Sequence, residues 1–409
     1  MKKVLLSAYA CSPIRGSEPG NGWSWATTLA QSGFEVWCIT NIEDQQATMD
    51  ECNRLNLKNL HFVFVNISGR LDEYLLNTDS KTIYLHYYLW RQRASKVAKN
   101  LHDIHHFDVA HHVTFGSLQQ GTFLWKLNDV KIVFGPVGGG QRALPQFKEY
   151  FGSSWKFEIL RDVVSRVSLV FSSELGNTLR KADVVLVTNS DTQEMVRKTK
   201  LLKEDKLHFI IDNAVPKRME QNVYVNREDK QKLRLLWVGR MLPRKGLKLV
   251  FHALSLVEKS VDYSLTIVGG GEQFHLVEDW IREYGLEVSR FNILGQVAFE
   301  QVIKSYQDAD AFIFCSLRDS CPAQLNEAMA YGLPIITLDI HGSSLSVPEN
   351  CGIKVKPLSA GQTANKIAEA IGKFHDNPEF RKSCSENAFQ YAKQNTWKNK
   401  VSHVTERFY

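Results

Sequence analysis

Residues Ala311 to Gly342 read AFIFCSLRDSCPAQLNEAMAYGLPIITLDIHG, and this stretch decides the fold. Ala311–Cys315 is a short apolar run of the kind that forms a buried strand. Ser316–Cys321 is a loop. Pro322 suits the start of a helix, where its missing N–H costs nothing, and the helix extends over Ala323–Tyr331. Gly332 closes it in the left-handed conformation, and Pro334 prevents continuation. Ile335–Leu338 is the next strand. Strand, helix and strand joined by short connections predict a parallel pair within an α/β sheet.

Ligands of such sheets bind outside the carboxyl ends of the strands. The Arg318–Ala323 loop lies there, and the helix behind it offers free N–H groups and a positive dipole end. Asp319 precedes that helix and Glu327 lies within it, with seven residues between. A carboxylate only accepts hydrogen bonds, so a vicinal diol is its natural partner. Two carboxylates on one loop-helix unit suit a ligand carrying two sugars.

The rest of the second half repeats the alternation. Leu233–Val238 reads as a strand, followed by Gly239-Arg240-Met-Leu-Pro-Arg-Lys245-Gly246 and a helix over Leu247–Glu258. Arg240 and Lys245 are cations between glycines, after a strand and before a helix. Preorganised cations stabilise a diphosphate as negative charge builds on it. Leu265–Val268 is a strand ending in Gly269-Gly270-Gly271, and Asn292–Leu294 is one ending in Gly295-Gln296-Val297. Asp308-Ala309-Asp310 mimics a metal-binding D-x-D but precedes a strand, at the wrong end of the sheet. Asp308 reads as a helix-end surface residue, and no metal is expected. Helices over Ala360–His375 and Pro378–Asn395 close the alternation.

The first half opens with a strand over Val4–Tyr9, a Gly/Pro/Ser-rich loop over Cys11–Gly22, a helix over Trp23–Ser32 and a strand over Phe34–Thr40. Leu60–Val65 reads as a further strand. Val109–Val113 is a strand carrying adjacent His111 and His112, of which at most one points each way. Lys131–Phe134 is a strand leading into the loop Gly135–Gly140. Ala182–Val187 and His208–Ile211 are the last strands of this half. Lys81–Lys99 has no acid, five Lys/Arg and four aromatics. It reads either as a core-facing helix with a solvated basic side or as a membrane-surface helix or acceptor wall.

Bulk properties set bounds. The length of 409 residues allows two to three domains, and 44% hydrophobic content is ordinary for a globular protein. A net charge of +6 is too mild to imply nucleic acid. Seven scattered Cys without metal spacing suggest a reducing compartment and no disulfide framework. No run of eighteen apolar residues occurs, so no spanning helix is expected. The opening MKKVLLSAYACSP has the outline of a signal peptide, but its apolar part is short, and it reads as the first strand.

Asp319, seven residues, then Glu327-Ala-Met-Ala-Tyr-Gly-Leu-Pro resembles the donor-site motif of the family 4 retaining glycosyltransferases, which have the GT-B fold. The family motif usually opens with Glu and a Gly-Phe-Gly-Leu-like loop; here Asp319 and Ser320-Cys321-Pro322-Ala323 stand in those places. Gly-Arg-x5-Lys-Gly is matched by Arg240 and Lys245 at one residue less. Gly16, Ser17 and Glu18 stand where the family often has Gly-Gly-x-Glu, with Gly-Ser for the glycine pair, and Asp108 followed by His111-His112 matches the family's Asp and His with a shift. Gly135–Gly140 resembles a loop of exopolysaccharide-associated members. Asp212–Pro216 resembles the hinge between the two halves, with Ala214 where Gly is usual.

The resemblance implies two doubly wound Rossmann-like domains with an interdomain cleft: an acceptor-side domain over 1–215, a nucleotide-sugar domain over 216–395, and a tail over 396–409 that crosses back. It implies sugar transfer from a nucleotide donor with retention, in cell-surface polysaccharide or glycolipid synthesis, without metal or added cofactor. Glu327 would hold the donor ribose, Asp319 the donor sugar, and Arg240 and Lys245 the diphosphate. Gly16, Ser17, Gly270, Val297 and the Ser320–Ala323 backbone would line the donor, with His111 or His112 near the reacting carbon. The acceptor would be a sugar or lipid-linked glycan. The expected location is the cytoplasm, with peripheral contact at the anionic inner membrane face. A GT-B epimerase or phosphorylase, or an inactive sugar-nucleotide-binding protein, would share this architecture.

Overall fold

The computed structural model describes residues 1–77, 82–227 and 231–409. Lys81, the first residue of the basic aromatic stretch, lies outside them. Seven parallel strands form the first sheet: β1 (Lys3–Ala8), β2 (Glu35–Thr40), β3 (Leu60–Phe64), β4 (Val109–Thr114), β5 (Lys131–Val137), β6 (Val184–Val187) and β7 (Leu207–Phe209). Their order is β3-β2-β1-β4-β5-β6-β7. The second sheet has β8 (Leu233–Val238), β9 (Tyr263–Val268), β10 (Phe291–Gly295), β11 (Ala311–Phe314), β12 (Ile335–Leu338) and β13 (Gly352–Val355), in the order β10-β9-β8-β11-β12-β13. Every pairing is parallel, and the strands are near-continuous runs of buried apolar residues, as sheets covered on both faces require.

The chain divides into two compact units. The first comprises Met1–Gly140, Val164–Asn213 and Trp397–Tyr409; the second comprises Gln141–Val163 and Ala214–Thr396. A single break at 215 therefore misses one feature. Residues 141–163 group with the second unit because Phe147, Tyr150 and Phe151 are buried in its core. Residues after Thr396 form the helix Trp397–Phe408, whose Trp397 meets Trp25 edge-on in the first unit, with ring centroids 6.0 Å apart.

Most elements fall where the pattern puts them, with informative shifts. The first helix spans Ser17–Gln31 and begins six residues earlier than its apolar run. Gly22, which looks like a breaker, sits inside it because a Cβ there would lie 2.1 Å from the Ala10 carbonyl oxygen. Pro19 falls in the first turn, where it is tolerated. β5 continues through Gly135 and Pro136, residues that read as loop. The basic aromatic stretch is the helix Ile83–His105. It buries Tyr87 and Trp90, as a core-facing helix does, and leaves Tyr84, Leu85 and Tyr88 exposed.

Candidate functional site

In the second unit, the candidate donor residues gather at the carboxyl ends of β8, β9, β10 and β11. Arg240 follows β8 and is exposed, and its guanidinium has no hydrogen-bond or ion-pair partner among the described residues. Lys245 ends the short 3-10 turn Pro243–Lys245 and is buried. Gly270 follows β9, and Val297 follows β10. Backbone hydrogen bonds lace these loops together: Met241 N–H donates to the Gly270 carbonyl at 2.7 Å, Gly269 to Gly295 at 2.7 Å, and Leu317 to Arg244 at 2.8 Å. The strand order alone brings these ends side by side, because β8 is flanked by β9 and β11.

Asp319, in the loop after β11, is bound to Lys245, whose ammonium donates to its carboxylate. Arg244 stands 3.7 Å from the same oxygen, and the Ser316 hydroxyl donates to it at 3.4 Å. Burial opposes ionisation of Asp319, but the Lys245 and Arg244 charges outweigh it and hold the carboxyl below its ordinary range. Burial works against the Lys245 ammonium as well, and Asp319 is what favours its charged form. Sequence reasoning assigned these two residues to different parts of one ligand; the structure joins them directly. The loop itself is seated against Gly342, where a Cβ would lie 1.4 Å from the Ser320 carbonyl oxygen. Cys321 Sγ lies 3.5 Å from the Ser346 hydroxyl, and Pro322 precedes the helix Ala323–Ala330.

Glu327 lies on that helix and accepts a hydrogen bond from the Tyr306 hydroxyl at 2.9 Å. Burial pushes its carboxyl up, against the Tyr306 hydrogen bond and the Arg218 charge. Tyr306 and Tyr331 stack with centroids 5.5 Å apart and planes 4° from parallel. Neither tyrosine was singled out from the sequence. Tyr331 belongs to the motif segment itself, so the aromatic at that place was available as a signal. Arg318 was also missed: its Nε lies 2.6 Å from Glu158 Oε2, and its NH2 donates to Glu158 Oε1 at 2.9 Å. With the partners 160 positions apart in the chain, no spacing pattern could have shown this pair.

In the first unit, His111 and His112 are the two middle residues of β4, both fully buried. His111 Nε2 donates to the Gly135 carbonyl at 2.6 Å, which leaves Nδ1 to accept from the Tyr409 hydroxyl at 2.6 Å. Both nitrogens are thus committed. His112 Nε2 lies 3.4 Å from the Phe115 carbonyl, and its Nδ1 has no hydrogen-bond partner among the described residues. Burial lowers the two imidazole pKa values to about 3 for His111 and about 4 for His112, so both rings are neutral near pH 7. The β1–β4 register skips Val113 next to His112, and Phe115 takes the left-handed φ of 59°.

Gly16 caps the helix Ser17–Gln31, and both Gly16 and Ser17 are exposed. Ser17 adopts φ 56°, a conformation that glycine takes more readily. Glu18 turns inward: its carboxylate accepts the Gly116 N–H at 2.6 Å and so ties the helix start to the turn after β4. Among the described residues no cluster of three or more His, Cys, Asp and Glu could hold a metal ion, and no helix is long and apolar enough to cross a membrane.

Residues 218–391 match the family model described as glycosyl transferases group 1. The Methanocaldococcus jannaschii protein named uncharacterized glycosyltransferase MJ1178 is 24% identical over 170 residues, covering 41% of this chain and 46% of that relative. The chain spans about half the length of the curated relatives it matches. Sucrose-phosphate synthase from Thermosynechococcus elongatus has a similar structure, with a TM-score of 0.69 at 18% identity, over 100% of this chain and 98% of that one. Anabaena HepE in complex with UDP matches with a TM-score of 0.64 at 16% identity, over 100% and 99% of the two chains. The two parallel sheets with their helices are the two Rossmann-like domains of the GT-B fold.

Proposed function

From the glycosyl transferases group 1 domain that this chain carries over residues 218–391, we propose a retaining glycosyltransferase that moves a sugar from a nucleoside diphosphate donor to an acceptor hydroxyl. The observation that carries the reading is the gathering of three cations and two carboxylates at one end of the sheet, with Arg240, Arg244 and Lys245 on the loop after β8 and Asp319 and Glu327 on the loop and helix after β11, the two loops being joined by hydrogen bonds and the Lys245–Asp319 pair. Cations bind the diphosphate, and carboxylates bind the hydroxyls flanking it.

Glu327 holds the ribose through the oxygen that Tyr306 leaves open. Arg240 and Lys245 take the diphosphate oxygens. Lys245 must then share or exchange its Asp319 contact, which frees Asp319 to accept from the donor sugar. As the glycosidic bond to the diphosphate breaks, negative charge grows on the leaving oxygen, and fixed cations stabilise it without reorganisation. That charge makes the leaving phosphate basic enough to take the acceptor's proton on the same face, which preserves the anomeric configuration. His112, with its uncommitted Nδ1, is the histidine that can accept from a sugar hydroxyl once uncovered; His111 is held by Gly135 and Tyr409. The nucleotide sugar is itself the donor, and no further cofactor or metal enters the reading. The acceptor is a sugar or lipid-linked glycan of cell-surface polysaccharide or glycolipid synthesis. That Anabaena HepE was solved with UDP supports a uridine nucleotide as the first donor to try.

The test is incubation with a panel of nucleotide sugars, following nucleoside diphosphate release and the anomeric proton of the product by NMR. Release with the donor's anomeric configuration kept is expected. Release of an inverted product contradicts retention, an epimerised sugar with no transfer favours an epimerase, and no release from any donor favours a binding protein.

A further inference from the structure

The helix Trp155–Phe171 is amphipathic in an unusual sense, because its apolar face looks outward. Phe157, Leu160, Val164, Val167 and Phe171 are all half or more exposed. They recur every three or four residues and so fall on one stripe. Ile159, Val163 and Val170 are exposed too, and they widen the stripe to about 160° of the circumference at 3.6 residues per turn. The polar side faces the protein: Glu158 binds Arg318, Asp162 binds Arg142, and Ser165 is buried. A monomer in water rarely leaves so continuous an apolar surface uncovered.

What covers it follows from width, charge and continuity. A helix from a second copy would cover only a seam of the narrower a/d kind, leaving Ile159, Val163 and Val170 in water. The exposed charges on or beside the arc are Lys156 and Arg166, both cations, while the two carboxylates of the helix are engaged inward. Cations flanking an apolar arc suit anionic headgroups and would set two copies in repulsion. The surface also continues. Gln119 donates to the Ser165 hydroxyl at 2.5 Å, and Arg91 donates to the Gln120 carbonyl at 3.1 Å. The same short turn therefore joins this helix to Ile83–His105, whose Tyr84, Leu85 and Tyr88 are exposed, with Arg91 over the Tyr88 ring at 4.9 Å. Tyrosine and arginine are residues of the membrane–water interface.

We propose that the helix Trp155–Phe171 docks with its apolar face in the interface of an anionic bilayer, and that the Glu158–Arg318 ion pair carries this docking to the loop holding Asp319. The pair combines one hydrogen bond with a second close charge contact, and both side chains are mostly buried. Arg318 directly precedes Asp319, so a shift of the helix moves the residue that holds Lys245. The second part rests on the glycosyl-transfer reading; the docking does not. By linkage, whatever the bilayer does to nucleotide affinity, nucleotide does to bilayer affinity.

Co-sedimentation of the full chain with phosphatidylcholine vesicles, with and without phosphatidylglycerol, tests the docking. Wild type is expected to pellet with the anionic vesicles and to be released in part by salt. A Val164→Glu, Val167→Glu variant is expected to lose about tenfold in bound-to-free ratio while melting at the same temperature, since both side chains are exposed. Wild type left equally in the supernatant with both vesicles overturns the docking. So does a wild-type dimer in sedimentation velocity that the double variant dissolves. For the tether, nucleoside diphosphate affinity is measured with and without vesicles. Wild type is expected to shift by about fivefold or more, and Glu158→Gln to sediment normally without that shift. An equal affinity for wild type in both conditions overturns the tether. A chain that binds no nucleoside diphosphate even in solution overturns the transferase reading, and sedimentation still decides the docking.

Discussion

Lys245 donates to the carboxylate of Asp319, and both side chains are largely buried at the sheet edge where β8 and β11 end. The two nearest charges that remain on either side are unequal: Asp319 also has Arg244 at 3.7 Å, whereas Lys245 has no second carboxylate among the described ion pairs. Removing one partner of a buried pair costs about 3–5 kcal/mol, because the other charge is left uncompensated. Asp319→Ala is therefore expected to destabilise the second unit more than Lys245→Ala does, with the double variant recovering part of the loss. Urea unfolding of the three variants checks this. Strictly additive losses would show that the two side chains do not interact in solution.

The Tyr306 contact of Glu327 and its proposed ribose contact separate chemically. Glu327→Gln keeps an acceptor for the Tyr306 hydroxyl, so stability is expected to hold, while nucleotide binding weakens by about 1.5–3 kcal/mol as a charged acceptor becomes neutral. Glu327→Ala is expected to lose a comparable amount of binding and also about 1–3 kcal/mol of stability, since the buried Tyr306 hydroxyl is left unpaired. Calorimetry and thermal melting together read both contacts. Unchanged nucleotide affinity in Glu327→Gln would remove the ribose assignment.

Gly342 sets the seat of the Asp319 loop. Gly342→Ala would place a methyl 1.4 Å from the Ser320 carbonyl, and the backbone must move to admit it. Overpacking of this kind costs about 1–3 kcal/mol or more. Lower stability and weaker nucleotide binding are both expected, although the residue carries no polar group of its own. A variant with wild-type melting and affinity would mean that the loop is not held as described.

The buried histidines fix a pH dependence. Their pKa values of about 3 and about 4 in the folded chain compare with an ordinary 6.5. Below 6.5 the unfolded chain takes up protons that the folded chain refuses. Stability is therefore fully present above that value and falls as pH drops toward 4, by up to about 1.4 kcal/mol per pH unit for each ring. Urea midpoints at pH 7.5, 6, 5 and 4.5 are expected to follow this fall. His112→Asn, which cannot titrate, should flatten it; the same slope in that variant would mean that the ring is hydrated or charged in the folded protein.

Local signals carried the alternation of strands and helices, because buried parallel strands are short apolar runs and their helices begin and end with Pro and Gly. They failed where the reason for a residue lies far along the chain. Gly22 reads as a breaker until the Ala10 carbonyl is seen beside it. The Trp155–Phe171 helix offers no inward apolar stripe to recognise, since its apolar residues face out. The sequence placed the candidate donor residues together because their loops follow neighbouring strands. Their mutual contacts, Lys245 with Asp319, Glu327 with Tyr306 and Arg318 with Glu158, depend on strand order and packing and are not written in any spacing. His111 and His112 separate only once Gly135 and Tyr409 are seen to occupy the first.

Calorimetric titration of nucleoside diphosphates into the full chain, in buffer containing a chelator of divalent metals, tests the central claim most directly. The account predicts saturable binding of at least one of them at a single site, unchanged by the chelator and weakened at least tenfold by Lys245→Ala, equivalent to about 1.4 kcal/mol. Binding that vanishes with the chelator, or that Lys245→Ala leaves intact, would contradict it.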